Sequence, residues 1–195
     1  MKRKHFISDW KFSTALCFMI LAVFLFSSIF TGQSYGETAK KINADVDATM
    51  DRFYKQVKDA KEVVKRSKGM LILPSVKKGA LIVGAEYGEG AMRIGGKTVD
   101  YYRMISGSVG FQIGGQAKDV IIAFMSSDAL EKFRNSKGWE AGVDGNVALI
   151  TIGAGESAIT AMSKNPIVAF VFDVKGLMAD ISLKGAKFSK LDLPQ

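Results

Sequence analysis

The sequence predicts an α+β fold: a curved antiparallel sheet or partial barrel packed by one long N-terminal helix and a short second helix. Three observations carry this. A stripe of apolar residues at helical spacing runs through Asn43–Lys68, strand-like segments punctuated by glycine fill most of the chain beyond Lys68, and one capping signal interrupts them at Asp128. With 195 residues, 48% of them hydrophobic, the chain can bury a full core as one domain preceded by an appendage.

The appendage is at the front. Met1-Lys-Arg-Lys gives a cationic start, Ala15–Phe30 is an almost unbroken apolar run, and Ser34 and Gly36 place small residues at a possible cleavage site. Residues 1–36 are therefore expected to be a signal peptide, with a mature start at Glu37 and a single domain over 37–195. The run is short for a membrane span of about 20 residues, and an uncleaved anchor is the alternative. Cys17 has Leu16 before it, where a lipoprotein signal wants a small residue.

Removing 1–36 takes away Lys2, Arg3, Lys4, Lys11 and Asp9, so the net charge falls from +8 to +5. The only cysteine and the only histidine, His5, leave with it. The remaining chain has no disulfide, no thiolate nucleophile, no serine–histidine pair and no zinc site of the usual ligands. The expectation is no enzyme, no metal and no cofactor. The residual positive charge favours anionic partners. For an exported protein these are lipid head groups, lipopolysaccharide or cell-wall polymer rather than nucleic acid.

In chain order, Glu37–Lys41 reads as a polar lead-in. Val46, Met50, Phe53, Val57, Ala60 and Val64 then form one apolar stripe, with Asn43 or Asp45 as cap and Gly69 as stop. Asp45, Asp47 and Asp51 sit near the positive end of the helix dipole, and basic residues crowd its negative end. Such a helix is either an ordinary surface helix or a basic membrane-facing one. Strands are expected at Met70–Pro74, Ala80–Tyr87, Ala91–Ile94 and Thr98–Ile105, with Gly88, Gly90 and Gly95-Gly96 as punctuation.

The stretch Ile105–Phe124 reads as an antiparallel hairpin. Val109, Phe111 and Ile113 alternate with small or polar residues, and Val120–Phe124 is uniformly apolar, the mark of a strand covered on both faces. Asp128-Ala-Leu-Glu131 has capping-box spacing and predicts a helix over Ala129–Asn135 ending near Gly138. Strands are expected again at Trp139–Val143 and Val147–Ile152. A last hairpin is expected between Ile167–Asp173 and Leu177–Leu183.

Two patterns suggest catalysis or cofactor binding. Gly153-Ala-Gly-Glu-Ser-Ala158 comes after a strand in the Gly-x-Gly-x-x-Ala form of a dinucleotide loop, with Asp173 where a ribose-binding acid would lie. Its helix is short, however, broken at Asn165-Pro166, and the flanking segments read as antiparallel. Glu86, Glu89, Glu140, Asp144 and Glu156 offer carboxylates, but their spacing singles out no acid–base pair.

Lys68-Gly-Met-Leu-Ile-Leu-Pro74, the glycine-punctuated 79–90, Gly107-Ser-Val-Gly-Phe-Gln-Ile-Gly114 with Asp119-Val-Ile121, and Lys175-Gly-Leu-Met-Ala-Asp-Ile-Ser-Leu-Lys-Gly185 together resemble the SYLF lipid-binding domain family. The likeness spans nearly all of 37–195, with the blocks in order. It departs at Tyr101-Tyr102-Arg103, where the family has a tryptophan-proline segment, and at Phe170-Val-Phe-Asp173, where it has a tyrosine-serine run. The resemblance implies a non-enzymatic domain that binds phospholipids, with phosphoinositides and actin as partners in eukaryotic relatives.

The resulting expectation is a non-enzymatic phospholipid-binding protein of the periplasm or cell envelope, membrane-associated through an anionic phospholipid surface. The alternative is a structural envelope protein contacting other proteins or cell-wall polymer. If the helix takes part, its apolar stripe faces the sheet, so the lipid-binding residues are the cations Lys55, Lys58, Lys61, Lys65, Arg66 and Lys68.

Overall fold

A computed structural model describes residues 39–78, 84–108, 116–151, 158–175 and 182–193, all within one compact unit, Glu37–Gln195. The predicted signal segment lies outside the described residues. Among those described, the element order is α1 (Ala39–Gln56), α2 (Ala60–Arg66), β1 (Gly69–Lys78), β2 (Gly84–Ile94), β3 (Lys97–Ser108), β4 (Gln116–Phe124), α3 (Ser127–Asn135), β5 (Trp139–Glu140), β6 (Ala148–Thr151), α4 (Ala158–Lys164), β7 (Ile167–Lys175) and β8 (Lys187–Leu191).

The strands form one sheet in the order β5-β8-β3-β2-β1-β4-β7-β6, curled into a half-barrel. All pairings between these strands are antiparallel except β6 with β7. The α+β class and curved sheet are as the sequence predicts. Sheet alternation then divides the apolar residues into two cores. Inside the curl, Leu71, Leu73, Met92, Met104, Val120, Ile122 and Phe124 meet α3 through Leu130 and Phe133. On the outer face, Met70, Ile72, Ala91, Ile121, Ala123, Phe170 and Phe172 lie under α1, α2 and α4.

Aromatic rings fix both cores. Phe133 stands with its ring centroid 4.9 Å from Phe124, 5.0 Å from Tyr102 and 5.3 Å from Trp139, closing the inner core. Phe53 of α1 packs edge-on to Phe170 at 5.3 Å, pinning the helix across the outer face.

The single long helix expected from the sequence is corrected to two. The α1 helix begins by Ala39, inside the expected polar lead-in, and the break at 57–59 centres on Asp59, whose φ of 67° is left-handed. Aspartate tolerates that conformation better than most residues. The turn shifts the phase of the stripe, so that α2 buries Ala60 and Val63 rather than Val64. Asn43 is not a cap: its side chain spans to the Tyr101 hydroxyl and Thr98. Ser67 ends α2, and Gly69 already belongs to β1.

The expected hairpin over Ile105–Phe124 is also overturned. Residues 109–115 lie outside the described residues, but β4 has both edges occupied, by β1 and β7, while Ile105–Ser108 continues β3. The two segments are three places apart in the sheet. The burial expectation for Val120–Phe124 holds: each is fully buried. The last expected hairpin fails for the same reason, since β7 is flanked by β4 and β6. Residues 176–181 lie outside the described residues, and the next strand after them is β8, which pairs with β3.

Gly88 and Gly90 lie inside β2 rather than between strands. They face the irregular stretch of β1 around Pro74 and Ser75, where the register shifts. A Cβ on Gly90 would stand 1.9 Å from the carbonyl oxygen of Ile72, so only glycine allows this approach. Gly95 and Gly96, at φ 58° and 79°, make the two-residue turn between β2 and β3. Helix α3 ends at Asn135 as predicted but starts two residues earlier, at Ser127, because its cap is Ser126, whose hydroxyl accepts from the Ala129 N–H at 3.2 Å.

Candidate functional site

The α1–α2 elbow gathers the six predicted cations. Lys55 lies in the last turn of α1, Lys58 lies in the break, Lys61, Lys65 and Arg66 belong to α2, and Lys68 leads into β1. All six are exposed, and none makes an ion pair among the described residues. Lys61 and Lys65, four apart on α2, share a helix face. The apolar side of the elbow is used up by the fold, because Phe53, Val57, Ala60 and Val63 are buried beneath it. Its chemistry towards solvent is therefore cationic.

Beside the elbow is a groove of about 380 Å³ between α1, α2, β1 and the β2–β3 turn. Met50, Tyr54, Val64, Met70 and Ile72 give it an apolar lining, and Lys65 and Arg93 supply two cations. Arg93 donates through Nη2 to Asp47 at 2.6 Å, but its Nε is buried with no partner among the described residues. A buried, unsatisfied guanidinium N–H beside an apolar groove is a ready donor for an anionic group. The sequence carries no sign of Arg93. It is a single cation in a strand, brought to the groove by the β2–β3 turn.

Several other charges are internally committed. Arg52 bonds Asp119 at 2.7 Å and lies 3.4 Å from Asp173, tying α1 to β4 and β7. The Asp119 hydrogen bond holds the Arg52 pKa up against desolvation. Asp119 also accepts from the Ser75 N–H at 2.9 Å, bracing the irregular turn of β1. Inside the half-barrel, the fully buried Lys118 ammonium lies 2.9 Å from Glu86.

The carboxylates that the sequence offers for acid–base chemistry also have polar partners. Glu89 pairs with Arg103 at 3.1 Å and accepts from the Tyr87 hydroxyl, Glu140 lies 3.5 Å from Lys187, and Asp144 receives the Glu140 N–H at 2.7 Å. Glu156 and the glycine loop 153–157 lie outside the described residues. Asp173 is engaged by Arg52 and Lys175. One sequence expectation here is corrected: β6 and β7 are parallel, joined through α4, because the segment between them is long enough for a crossover. Among the described residues, no cluster of histidine, cysteine or acidic side chains is placed to hold a metal ion. No described helix is long and apolar enough to cross a membrane.

Comparison with curated proteins finds no match. Residues 105–192 match the Ysc84 family model, described as "Las17-binding protein actin regulator", which supports a binding role. With the curled α+β sheet and its covering helices, this match is consistent with the SYLF family that the sequence blocks resemble.

Proposed function

We propose that this protein is a non-enzymatic phospholipid-binding module of the cell envelope, with anionic lipid held against the α1–α2 elbow. The observation that carries the reading is the conjunction at Lys65: exposed cations free of ion pairs adjoin an apolar groove in which the Arg93 Nε lacks a partner among the described residues. Each cation near an anionic surface contributes about 1 kcal/mol. Three or four of the six can reach one plane, giving roughly 3–4 kcal/mol, which corresponds to weak, reversible association. The cationic start and apolar run of residues 1–36 support export, and so an envelope rather than a cytoplasmic membrane partner.

Vesicle co-sedimentation tests the reading. The parent is expected to pellet with phosphatidylglycerol or cardiolipin vesicles and not with neutral ones, and to be released as salt shortens the screening length towards about 3 Å near 1 M. The triple change Lys58→Glu, Lys61→Glu, Lys65→Glu should abolish pelleting while circular dichroism stays unchanged. Equal, salt-insensitive binding by parent and variant would refute the elbow as the site. A second reading, in which the domain contacts proteins, is favoured by the family's description. Native mass spectrometry separates the two, since a protein-contact module should carry no co-purified lipid.

A further inference from the structure

The sheet register aligns side chains from six strands into one row, all exposed except the half-buried Ala117. Lys175 of β7 pairs with Ala117 of β4, Ala117 with Lys77 of β1, Lys77 with Tyr87 of β2, Tyr87 with Ile105 of β3, and Ile105 with Lys187 of β8. Residues directly opposite across strands project from the same face, so the row crosses the sheet at right angles to its strands. At about 4.8 Å per strand it is roughly 24 Å long.

It lies on the outer face. Lys187 points away from its neighbour Phe188, which belongs to the inner core, and Lys77 away from inward-facing Val76. On this same face Ile72, Ala91 and Ile121 are covered by α1 and its neighbours. The helix leaves the row bare: Tyr87 is 40% and Ile105 50% exposed, and the three lysines are exposed. The Tyr87 ring is held in place, because Arg103 stacks 5.6 Å from its centroid while Glu89 accepts from its hydroxyl.

We propose that this row is a second membrane contact, in which Tyr87 and Ile105 enter the head-group layer of an anionic bilayer and Lys77, Lys175 and Lys187 engage its phosphates. The proposal rests on the phospholipid reading above and adds a surface on the sheet to the helical elbow. An apolar centre with a tyrosine, flanked on both sides by lysines, has the chemistry of an interfacial contact. Lys77 makes no ion pair among the described residues. Lys175 and Lys187 have only loose partners at 3.5 Å, Asp173 and Glu140. A second copy of the chain is a poor occupant, because isologous pairing would bring the same lysines together. The acid nearest the centre, Glu89, is buried beneath Arg103 and cannot complement them.

The test places tryptophan at the centre of the row. Emission added by Tyr87→Trp over the parent should shift to the blue with phosphatidylglycerol vesicles and be quenched by brominated phosphatidylglycerol. Lys77→Glu with Lys187→Glu should weaken vesicle binding by about 30-fold or more. The milder pair Lys77→Gln and Lys187→Gln should weaken it less, guarding against a folding defect. If the parent binds but the added emission is unchanged and both lysine pairs bind like the parent, the row is not a contact and the elbow reading stands. A blue shift that depends on protein concentration without vesicles would assign the row to a second copy and overturn the proposal. Failure of the parent to bind any anionic vesicle would sink the phospholipid reading itself, and the row with it.

Discussion

Tyr102 points into the inner core, its ring 5.0 Å from Phe133, and its hydroxyl is buried with no hydrogen-bond partner among the described residues. A buried hydroxyl left unpaired costs about 1–3 kcal/mol, so Tyr102→Phe should be neutral or stabilise by up to about 1 kcal/mol in chemical denaturation. Burial pushes the Tyr102 pKa up, and the nearby Asp100 carboxylate acts in the same direction. The unfolded chain, with an ordinary tyrosine pKa near 10, loses its proton first. The contribution of Tyr102 is thus present below about pH 10 and lost as pH rises above it. Stability measured from pH 9 to 11 should therefore fall less steeply in the phenylalanine variant, and parallel curves would contradict this. At this scale the sequence was legible for the elbow cations, because exposed lysines at a helix end need no tertiary partner to be recognised. Arg93, Lys118 and Glu86 were not, since their roles arise from strands that the sequence alone does not pair.

Between α1 and α2, the conformation of one residue decides which cations share a face. Asp59 has left-handed backbone and its side chain makes no capping bond to α2, so the residue is tolerated there rather than required. Glycine adopts this φ without penalty, while a β-branched residue pays about 1–2 kcal/mol. Asp59→Gly should leave the melting temperature within a few degrees, and Asp59→Val should lower stability by about 1–2 kcal/mol, read by thermal melts. Equal effects would show that the elbow is not held by this turn. A continuous helix was the natural reading of the stripe, because Val46 to Ala60 keeps helical phase across the break. Only the choice between Val63 and Val64 as the buried residue betrays the turn, and that choice depends on the sheet beneath. The expected hairpins failed for a related reason. Segments adjacent in sequence are good candidates for pairing, but β1 and β2 have inserted between β3 and β4, so that β4 lies between β1 and β7, β7 lies between β4 and β6, and neither has an edge left for the segment that the expected hairpin would pair with it.

Over the whole molecule, the family match and the folding unit do not coincide. Residues 105–192 contain β4, β5, β6, β7, β8 and only the last residues of β3, whereas the centre of the sheet is β2 and β1. Without them β4 has one bare edge, and β8 with β5 loses most of the strand that joins them to the rest. The outer face also loses Ile42, Val46, Phe53 and Val57, all buried by α1 and the turn after it. Each such side chain stabilises by about 1.5–3 kcal/mol, so these four alone are comparable to the roughly 5–15 kcal/mol that holds a typical domain together. A fragment spanning 105–192 should therefore show no cooperative melt and poorly dispersed amide resonances, while residues 37–195 give both a cooperative melt and good dispersion. A cooperative transition in the short fragment would mean that β4, β7 and β6 form a core of their own. The outcome bears on function as well, because the elbow cations, Arg93, Lys77 and Tyr87 all lie before residue 105. The fragment lacks the whole elbow and keeps only Ile105, Ala117, Lys175 and Lys187 of the row, so any binding it retains cannot come from the elbow.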